Sequence, residues 1–168
     1  MNDNNTIRVA DATKAFLQAE LMTLVPTYVE LPPEMWLEKW DNKYRRPTVR
    51  LMRALYGHPQ ASVHWDLHLR QILINDLGSI PVDGHPSVFF HESWRILVVV
   101  YVDDILASGP SSSQDLFWKE LKSRVQLDDV EELSQFLGRF HHMTPGRCVF
   151  DMRDYATEAV NLYLRNSW

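Results

Sequence analysis

The chain has 168 residues, of which 45% are hydrophobic, and a formal net charge of -5. This apolar content is enough for a packed core and excludes a globally disordered chain, while the net charge excludes a protein that coats nucleic acid through a general positive field. The longest apolar stretch, residues 96–102, is too short to cross a bilayer, and M-N-D-N-N-T at residues 1–6 lacks the features of a signal peptide. Cys148 is the only cysteine, which excludes an internal disulfide and a cysteine-based metal site, so we expect an intracellular protein with no membrane partner.

The first half of the chain predicts short strands mixed with helices. Residues 6–11 alternate as a strand that ends at Asp11, and residues 12–21 contain helix formers for a turn or two. Residues 26–33 predict an extended segment closed by a proline pair. Residues 48–57 predict a half-exposed strand, and residues 60–77 a helix with one apolar side.

The second half begins with two neighbouring strands, residues 87–92 and 95–102, joined by a tight turn. The serines that follow Pro110 are expected to cap a helix that runs to about residue 125. Residues 133–140 are ambiguous between helix and strand. The remaining predictions are a P-G turn at 145–146, a short strand at 147–152 and a final helix at 154–164.

These elements follow one another without the regular strand–helix alternation of a parallel sheet. The pattern therefore predicts an α+β fold, in which a mostly antiparallel sheet carries helices packed on one face.

The charge is unevenly distributed along the chain. No acidic residue lies between Asp41 and Asp66, whereas five basic residues do: Lys43, Arg45, Arg46, Arg50 and Arg53. Such a basic strip on an acidic chain is compatible with binding a polyanion at one place, and equally with a solvated basic loop.

Two adjacent carboxylates, Asp103 and Asp104, directly follow the most apolar stretch of the chain. Burying like charges side by side is costly. A regular strand would direct the two side chains to opposite faces, whereas a hairpin tip, with residues 105–108 as the returning strand, would bring both to one rim. The alternative is a turn that uses Asp only as a turn former, although the D-G or N-G pair common in such turns is absent.

Asp11 adds a third carboxylate at the end of a predicted strand. Carboxylates without a nearby histidine pair are typical ligands of Mg²⁺. Two such ions would stabilise the attacking and leaving oxygens of a phosphoryl displacement and offset the negative charge of the three acids.

Six stretches resemble one family. Y-V-D-D at residues 101–104 resembles the signature of reverse transcriptases, and D-A-T-K-A-F-L-Q-A-E-L at 11–21 resembles D-V-K-T-A-F-L-N-G-E-L, the first aspartate motif of copia-type retrotransposon polymerases. Y-V-E-L-P-P at 28–33 is similar to Y-M-E-Q-P-P, and residues 50–65 are similar to K-L-x-K-S-L-Y-G-L-K-Q-A-P-R-A-W. F-L-G at 136–138 and D-Y-A at 154–156 fall where the family has F-L-G and K-Y-I, which favours a strand at 133–140.

The resemblance implies a right-hand polymerase whose partial palm domain spans residues 1–168. In that family the site would contain Asp11 and Asp103 as metal-binding carboxylates for two Mg²⁺ (or Mn²⁺) ions, and Asp104 as the third acid. Phe16 would be the steric gate against the ribose 2′-OH, unless it is an ordinary core aromatic. The other expected substrate contacts are Tyr56, Gly57 and Gln60, against the incoming nucleotide and template, and Tyr101 beside the primer end.

The implied reaction is the addition of dNTPs to a primer 3′-OH on an RNA or DNA template. The implied partners are template, primer, dNTPs and the fingers, thumb, ribonuclease H and integrase segments of a parent polyprotein, in a cytoplasmic particle or the nucleus. We expect the chain to be inactive by itself. Pro59 and Ser62 replace a basic residue and a proline of the family motif, so a degenerate palm kept as a binding or scaffold module is the first alternative. A small metal-dependent nuclease is the second.

Overall fold

The computed structural model describes residues 4–40, 43–144 and 147–166. In chain order, these residues form β1 (Asn5–Asp11), α1 (Ala15–Gln18), β2 (Tyr28–Glu30), β3 (Thr48–Arg50), α2 (Ala61–Gln71), β4 (Ile80–Val82), β5 (His85–His91), β6 (Ile96–Tyr101), β7 (Asp104–Pro110), α3 (Ser111–Lys122), β8 (Glu131–Glu132), β9 (Gln135–Phe136), β10 (Arg139–Thr144), β11 (Arg147–Asp151) and α4 (Arg153–Asn166). Residues 14–70 form one unit, and the segments before and after them form another. No helix in the described part of the chain is long and apolar enough to cross a membrane.

The larger unit contains a six-stranded sheet in the order β4-β5-β6-β7-β1-β8. Every pair of neighbours is antiparallel. The apolar run at 96–102 provides β6, and β7 returns beside it. Alternation places the buried side chains on one face, among them Phe89, Ile96, Val98, Ile105 and Ala107. This face is the core of the unit.

Helix α3 packs against that buried face. The side-chain amide of Gln114 donates to the carbonyls of Thr6 (3.0 Å) and Ala107 (2.9 Å), and Trp118 Nε1 donates to Gln114 Oε1 (2.8 Å). Because Gln114 is fully buried, these bonds offset the cost of removing its amide from water. Phe117 and Leu121 bury the apolar side of the same helix.

The smaller unit contains the pair β2–β3, which is also antiparallel, with Tyr28 opposite Arg50. The strand predicted at 48–57 is wrong in length, since the regular pairing ends at Arg50. After one further bond, from Leu51 N–H to the Thr27 carbonyl (2.8 Å), the backbone bonds to the segment that follows α1. Leu21 N–H donates to the Met52 carbonyl, and Ala54 N–H donates to the Ala19 carbonyl (both 3.0 Å). A change of partner therefore ends the strand.

The prediction of an α+β fold with mainly antiparallel sheets is confirmed. The predicted serine cap of α3 is wrong, because the helix begins at Ser111 and Pro110 makes no side-chain capping bond. The Ser111 N–H instead donates to the Asn4 carbonyl at 2.8 Å, which satisfies one of the free donors of the first turn. Residues 133–140 form parts of two strands, β9 and β10, and the predicted P-G turn at 145–146 lies outside the described residues.

Candidate active site

Asp11 and Asp104 lie directly opposite each other, as the last residue of β1 and the first residue of β7. Asp103 precedes Asp104 in the two-residue loop that joins β6 to β7. The hairpin-tip interpretation is therefore the one observed. All three carboxylates belong to the same rim of the six-stranded sheet.

The backbone bonding shows how close Asp11 and Asp104 come. Ala12 N–H donates to the Asp103 carbonyl at 2.8 Å, so Ala12 and Asp103 form a hydrogen-bonded pair of the ladder. In an antiparallel ladder such pairs alternate with non-hydrogen-bonded pairs, whose Cα atoms are only about 4.5 Å apart and whose side chains are closer. Asp11 and Asp104 are therefore a non-hydrogen-bonded pair. Like charges at such positions destabilise a sheet.

The loop between β6 and β7 has a strained backbone. Val102, its first residue, has a positive φ of 54°, which is rare for a β-branched residue. A positive φ at the first position of a two-residue hairpin loop, without one at the second, is the geometry of a type II′ turn, which usually has glycine at the first position. Here that position is occupied by Val102, so the strained backbone conformation lies one residue before Asp103.

Burial raises the pKa of Asp104 to about 6, and the effect is increased by a hydrogen bond with the Asp11 carboxyl and by the charges of Asp11 and Asp103. A hydrogen bond between two carboxyl groups requires a proton on one of them. Asp104 therefore holds a proton against Asp11 at mildly acidic pH. Both other acids therefore act electrostatically on Asp104.

The three carboxylates are oxygen donors of the kind that Mg²⁺ prefers. Within the described residues, no group of three or more His, Cys, Asp and Glu is arranged as a ready metal site. Mg²⁺ in phosphoryl-transfer enzymes is held by one or two carboxylates together with water and substrate phosphates, so a complete cage of protein ligands is not required. The chemistry of this donor set fits Mg²⁺.

The remaining predicted residue of the larger unit, Tyr101, ends β6 opposite Asp104 and is 58% exposed. Its side chain is thus open to solvent beside the three acids.

Three of the four predicted residues of the smaller unit belong to the segment before α2. The Phe16 and Tyr56 rings are in contact, with centroids 4.7 Å apart and planes at 46°. Gly57 has a φ of 89°, a conformation that favours glycine. Gln60 N–H donates to His58 Nδ1 at 3.2 Å, and His58 Nε2 lies 3.1 Å from Thr27 Oγ1. The segment is thereby held in a defined turn.

The sequence comparison decides the family. The model of the family described as reverse transcriptase (RNA-dependent DNA polymerase) matches residues 1–164. The chain belongs to the reverse transcriptase family.

Relatives of this reverse transcriptase chain are retrotransposon polyproteins. It is 35% identical over 136 residues to the retrovirus-related Pol polyprotein from transposon RE1 of Arabidopsis thaliana, and 33% identical over 160 residues to that from transposon RE2 of the same plant. The matches cover 79% and 92% of this chain but only 9% and 10% of the two polyproteins. The predicted resemblance to copia-type reverse transcriptases is confirmed.

The basic strip of this reverse transcriptase chain is partly engaged within its own unit. Arg46 Nε donates to the Glu30 carboxylate at 2.9 and 3.0 Å, and Arg53 Nη1 donates to the Gln18 carbonyl at 2.6 Å. The pKa of Glu30 is lowered, first by its hydrogen bond from Arg46. Polyanion binding by the strip stays a prediction.

Sequence reasoning did not identify Asp128 as a neighbour of the acids. Its N–H donates to the Asp11 carbonyl at 2.9 Å, and its Oδ1 accepts a bond from Thr13 Oγ1 at 2.7 Å. Asp128 lies in the acidic segment Q-L-D-D-V-E-E. No local signal distinguishes it from the acids around it.

Proposed function

We propose that this chain is the palm of a retrotransposon reverse transcriptase, which adds dNTPs to a primer 3′-OH on an RNA or DNA template. The observation that carries the proposal is the direct pairing of Asp11 with Asp104 beside the Val102–Asp103 loop, in a chain of the reverse transcriptase family. The whole span 1–168 would be palm.

Asp11 and Asp103 would hold two Mg²⁺ ions, or Mn²⁺ in their place, and Asp104 would be the third acid. When bound, the ions stabilise the attacking and leaving oxygens of the phosphoryl displacement. The protein's contribution is positional: the ladder fixes Asp11 against Asp104, and the Ala12 N–H fixes the backbone of Asp103. Loss of the proton shared by Asp11 and Asp104 would be required for both to act as ligands.

The exposed aromatic and turn residues would contact substrates. Tyr101 would flank the primer end, while Tyr56, Gly57 and Gln60 would contact the incoming nucleotide and the template. Phe16 would exclude the 2′-OH of a ribonucleotide. The contact of its ring with Tyr56 supports this role, because a side chain packed on one side cannot easily move away from a clashing group.

The relatives are polyproteins about ten times longer than the matched segment. We propose that other segments of such a polyprotein bind the triphosphate and the duplex, so the 168-residue chain alone would extend a primer weakly. Thumb, fingers, ribonuclease H and integrase are the segments expected from the resemblance. A degenerate palm used as a scaffold is the second candidate, favoured by Pro59 and Ser62 in place of the family's residues.

Primer extension by a chimera tests the two candidates. The chimera carries these 168 residues in place of the matched segment of a copia-type relative, and extension of an RNA-templated DNA primer is measured with Mg²⁺. We expect activity that Asp11→Asn or Asp103→Asn reduces about 100- to 1000-fold, the range attributed to groups that stabilise transition-state charge. An Asp83→Asn chimera, altered in the turn between β4 and β5, is the matched control. A folded but inactive unsubstituted chimera would favour the degenerate palm.

A further inference from the structure

We infer that Asp128 is a positioning residue for Asp11, and that it acts through a hydrogen bond with the Thr13 hydroxyl. The inference rests on the proposed function insofar as Asp11 is taken as a metal ligand. The contacts that support it belong to the larger unit alone. They join residues more than one hundred positions apart in the sequence.

Asp11 is the last residue of β1, so the regular strand ends at its own position. On the β7 side, the next contact is the Ala12 N–H bonded to the Asp103 carbonyl. On the other side, the segment of residues 126–128 continues the pairing: Asp128 N–H donates to the Asp11 carbonyl at 2.9 Å, and Thr13 N–H donates to the Gln126 carbonyl at 3.0 Å. The strand end that carries Asp11 is therefore held from both sides.

Residues 126–128 belong to the connection between α3 and β8, and β8 itself is only two residues long. A short connection of this kind has few bonds to fix its position against β1. The Thr13–Asp128 side-chain bond adds one. Thr13 Oγ1 donates to Asp128 Oδ1 at 2.7 Å, a length typical of a hydroxyl bonded to an ionised carboxylate.

The bond closes a loop of contacts around the Asp11 backbone. Asp128 receives the Thr13 hydroxyl through its side chain and binds the Asp11 carbonyl through its own N–H. Loss of the side-chain bond would loosen Thr13 and the segment of residues 126–128, which hold the Asp11 backbone on the side away from β7. Positional errors of about 1 Å at reacting groups can cost about 100-fold in rate, so a contact two residues away is sufficient to matter.

In this chain, threonine and lysine stand in the reverse order from that of the family motif. The copia-type motif D-V-K-T-A-F has lysine and then threonine after its second residue, whereas this chain has Thr13 and then Lys14. Thr13 thus stands where the motif has lysine, another side chain that can donate to a carboxylate.

Mn²⁺ titration of the purified 168-residue chain, by calorimetry, tests the inference. Thr13→Val removes the hydroxyl at nearly constant volume, and Asp128→Asn removes the charged acceptor. We expect each to weaken Mn²⁺ binding about 10-fold, the lower end of the effect of residues that support metal ligands. The double variant should lose no more than either single variant, and Thr13→Ser should restore binding. Asp129→Asn is the matched control, because it removes the same charge one residue away and should change the affinity less than about 2-fold.

Equal losses in Asp128→Asn and Asp129→Asn would overturn the inference, since they indicate a general charge effect. Additive losses in the double variant would also overturn it, since they indicate that Thr13 and Asp128 act separately. Amide hydrogen exchange provides a readout that does not depend on metal. The Ala12 and Asp128 amides should exchange faster in Thr13→Val and Asp128→Asn, but not in Asp129→Asn. If the wild-type chain binds no Mn²⁺, the proposed function fails, but amide hydrogen exchange still tests the Thr13–Asp128 bond. If neither variant changes the exchange rates, the positioning role of this bond is rejected, whether or not metal binds.

Discussion

Asp11 and Asp104 face each other across β1 and β7 as a non-hydrogen-bonded pair, and the pKa of Asp104 is raised to about 6 by burial and by its bond with Asp11. Two carboxylates in this arrangement repel each other once both are ionised. A proton or a cation relieves the repulsion. The pair is therefore unfavourable for the isolated fold at neutral pH and suited to binding a divalent ion.

The first prediction is a pH dependence of stability. The folded pKa of Asp104 lies above the value of roughly 3.9 for an unperturbed Asp, so the folded state binds more protons between these two values. Stability from this group is therefore greatest below about pH 4 and is lost as the pH rises to about 6. Glu30 and Asp151 act in the opposite direction, because hydrogen bonds from Arg46 and Arg153 lower their pKa values.

The contribution of Asp104 is isolated by comparing the wild type with Asp104→Asn. The free energy of unfolding of each is measured in urea without metal from pH 4 to 7, and the value for the variant is subtracted from that for the wild type. This difference should decrease as the pH rises through about 6 and begin to level off near pH 7. A difference that is constant or rises with pH would contradict the prediction.

The second prediction concerns divalent metal. A ligand that binds only the folded state stabilises it by about 2.7 kcal/mol at 100 times its Kd, which is about 5–10 °C for a chain of this size. Mn²⁺ should raise the melting temperature of the wild type by that amount at pH 7.5. Asp104→Asn should melt higher than wild type without metal, because it removes the repulsion, and should gain less from Mn²⁺.

Asp83→Asn is the control, since Asp83 lies in the turn between β4 and β5, at the other edge of the sheet from β1. It should gain as much from Mn²⁺ as the wild type does. An identical melting temperature of the wild type with and without saturating Mn²⁺ would argue strongly against a metal site at the three acids.

The third prediction uses the strained loop. Val102→Gly should raise the free energy of unfolding, because a positive φ costs a β-branched residue about 1–3 kcal/mol and costs glycine little. The greater freedom of glycine in the unfolded chain reduces the net gain to roughly 1 kcal/mol. Val100→Gly, the same substitution inside β6, should instead destabilise. Urea unfolding at pH 7 measures both, and a loss of similar size in the two variants would show that the loop is unstrained.

Much of this site was predictable because its elements are local. The apolar run at 96–102, two carboxylates and a second apolar run are sufficient to predict a hairpin with acids at its tip. The register of the strands could not be predicted in this way, since it depends on partners far along the chain. Periodicity alone does not indicate that Asp11 pairs with Asp104 while Ala12 bonds to Asp103, nor that Thr13 meets Asp128. The serine cap failed for a local reason: α3 begins at Ser111, so the N-cap position is occupied by Pro110, whose side chain has no acceptor.

The fourth prediction concerns sugar selection in the active chimera. A protein senses a 2′-OH only through contact at that position, and Phe16 is the residue proposed to make it. Phe16→Val should increase the ratio of ribonucleotide to deoxyribonucleotide incorporation. A change of about 100-fold corresponds to about 2.7 kcal/mol. Mn²⁺ affinity should stay within about 2-fold of wild type, because Asp11 is not altered and the ring contact of Phe16 is with Tyr56, not with an acid.

Tyr56→Phe provides the matched control for this measurement. It keeps an aromatic ring against Phe16 and removes only the hydroxyl, so the incorporation ratio should not change. If Phe16→Val leaves the ratio unchanged in a chimera that extends dNTPs normally, Phe16 serves only the packing of the smaller unit and discrimination depends on another residue. If both variants change the ratio equally, the Phe16–Tyr56 pair positions the nucleotide as a unit, and neither ring alone is the gate.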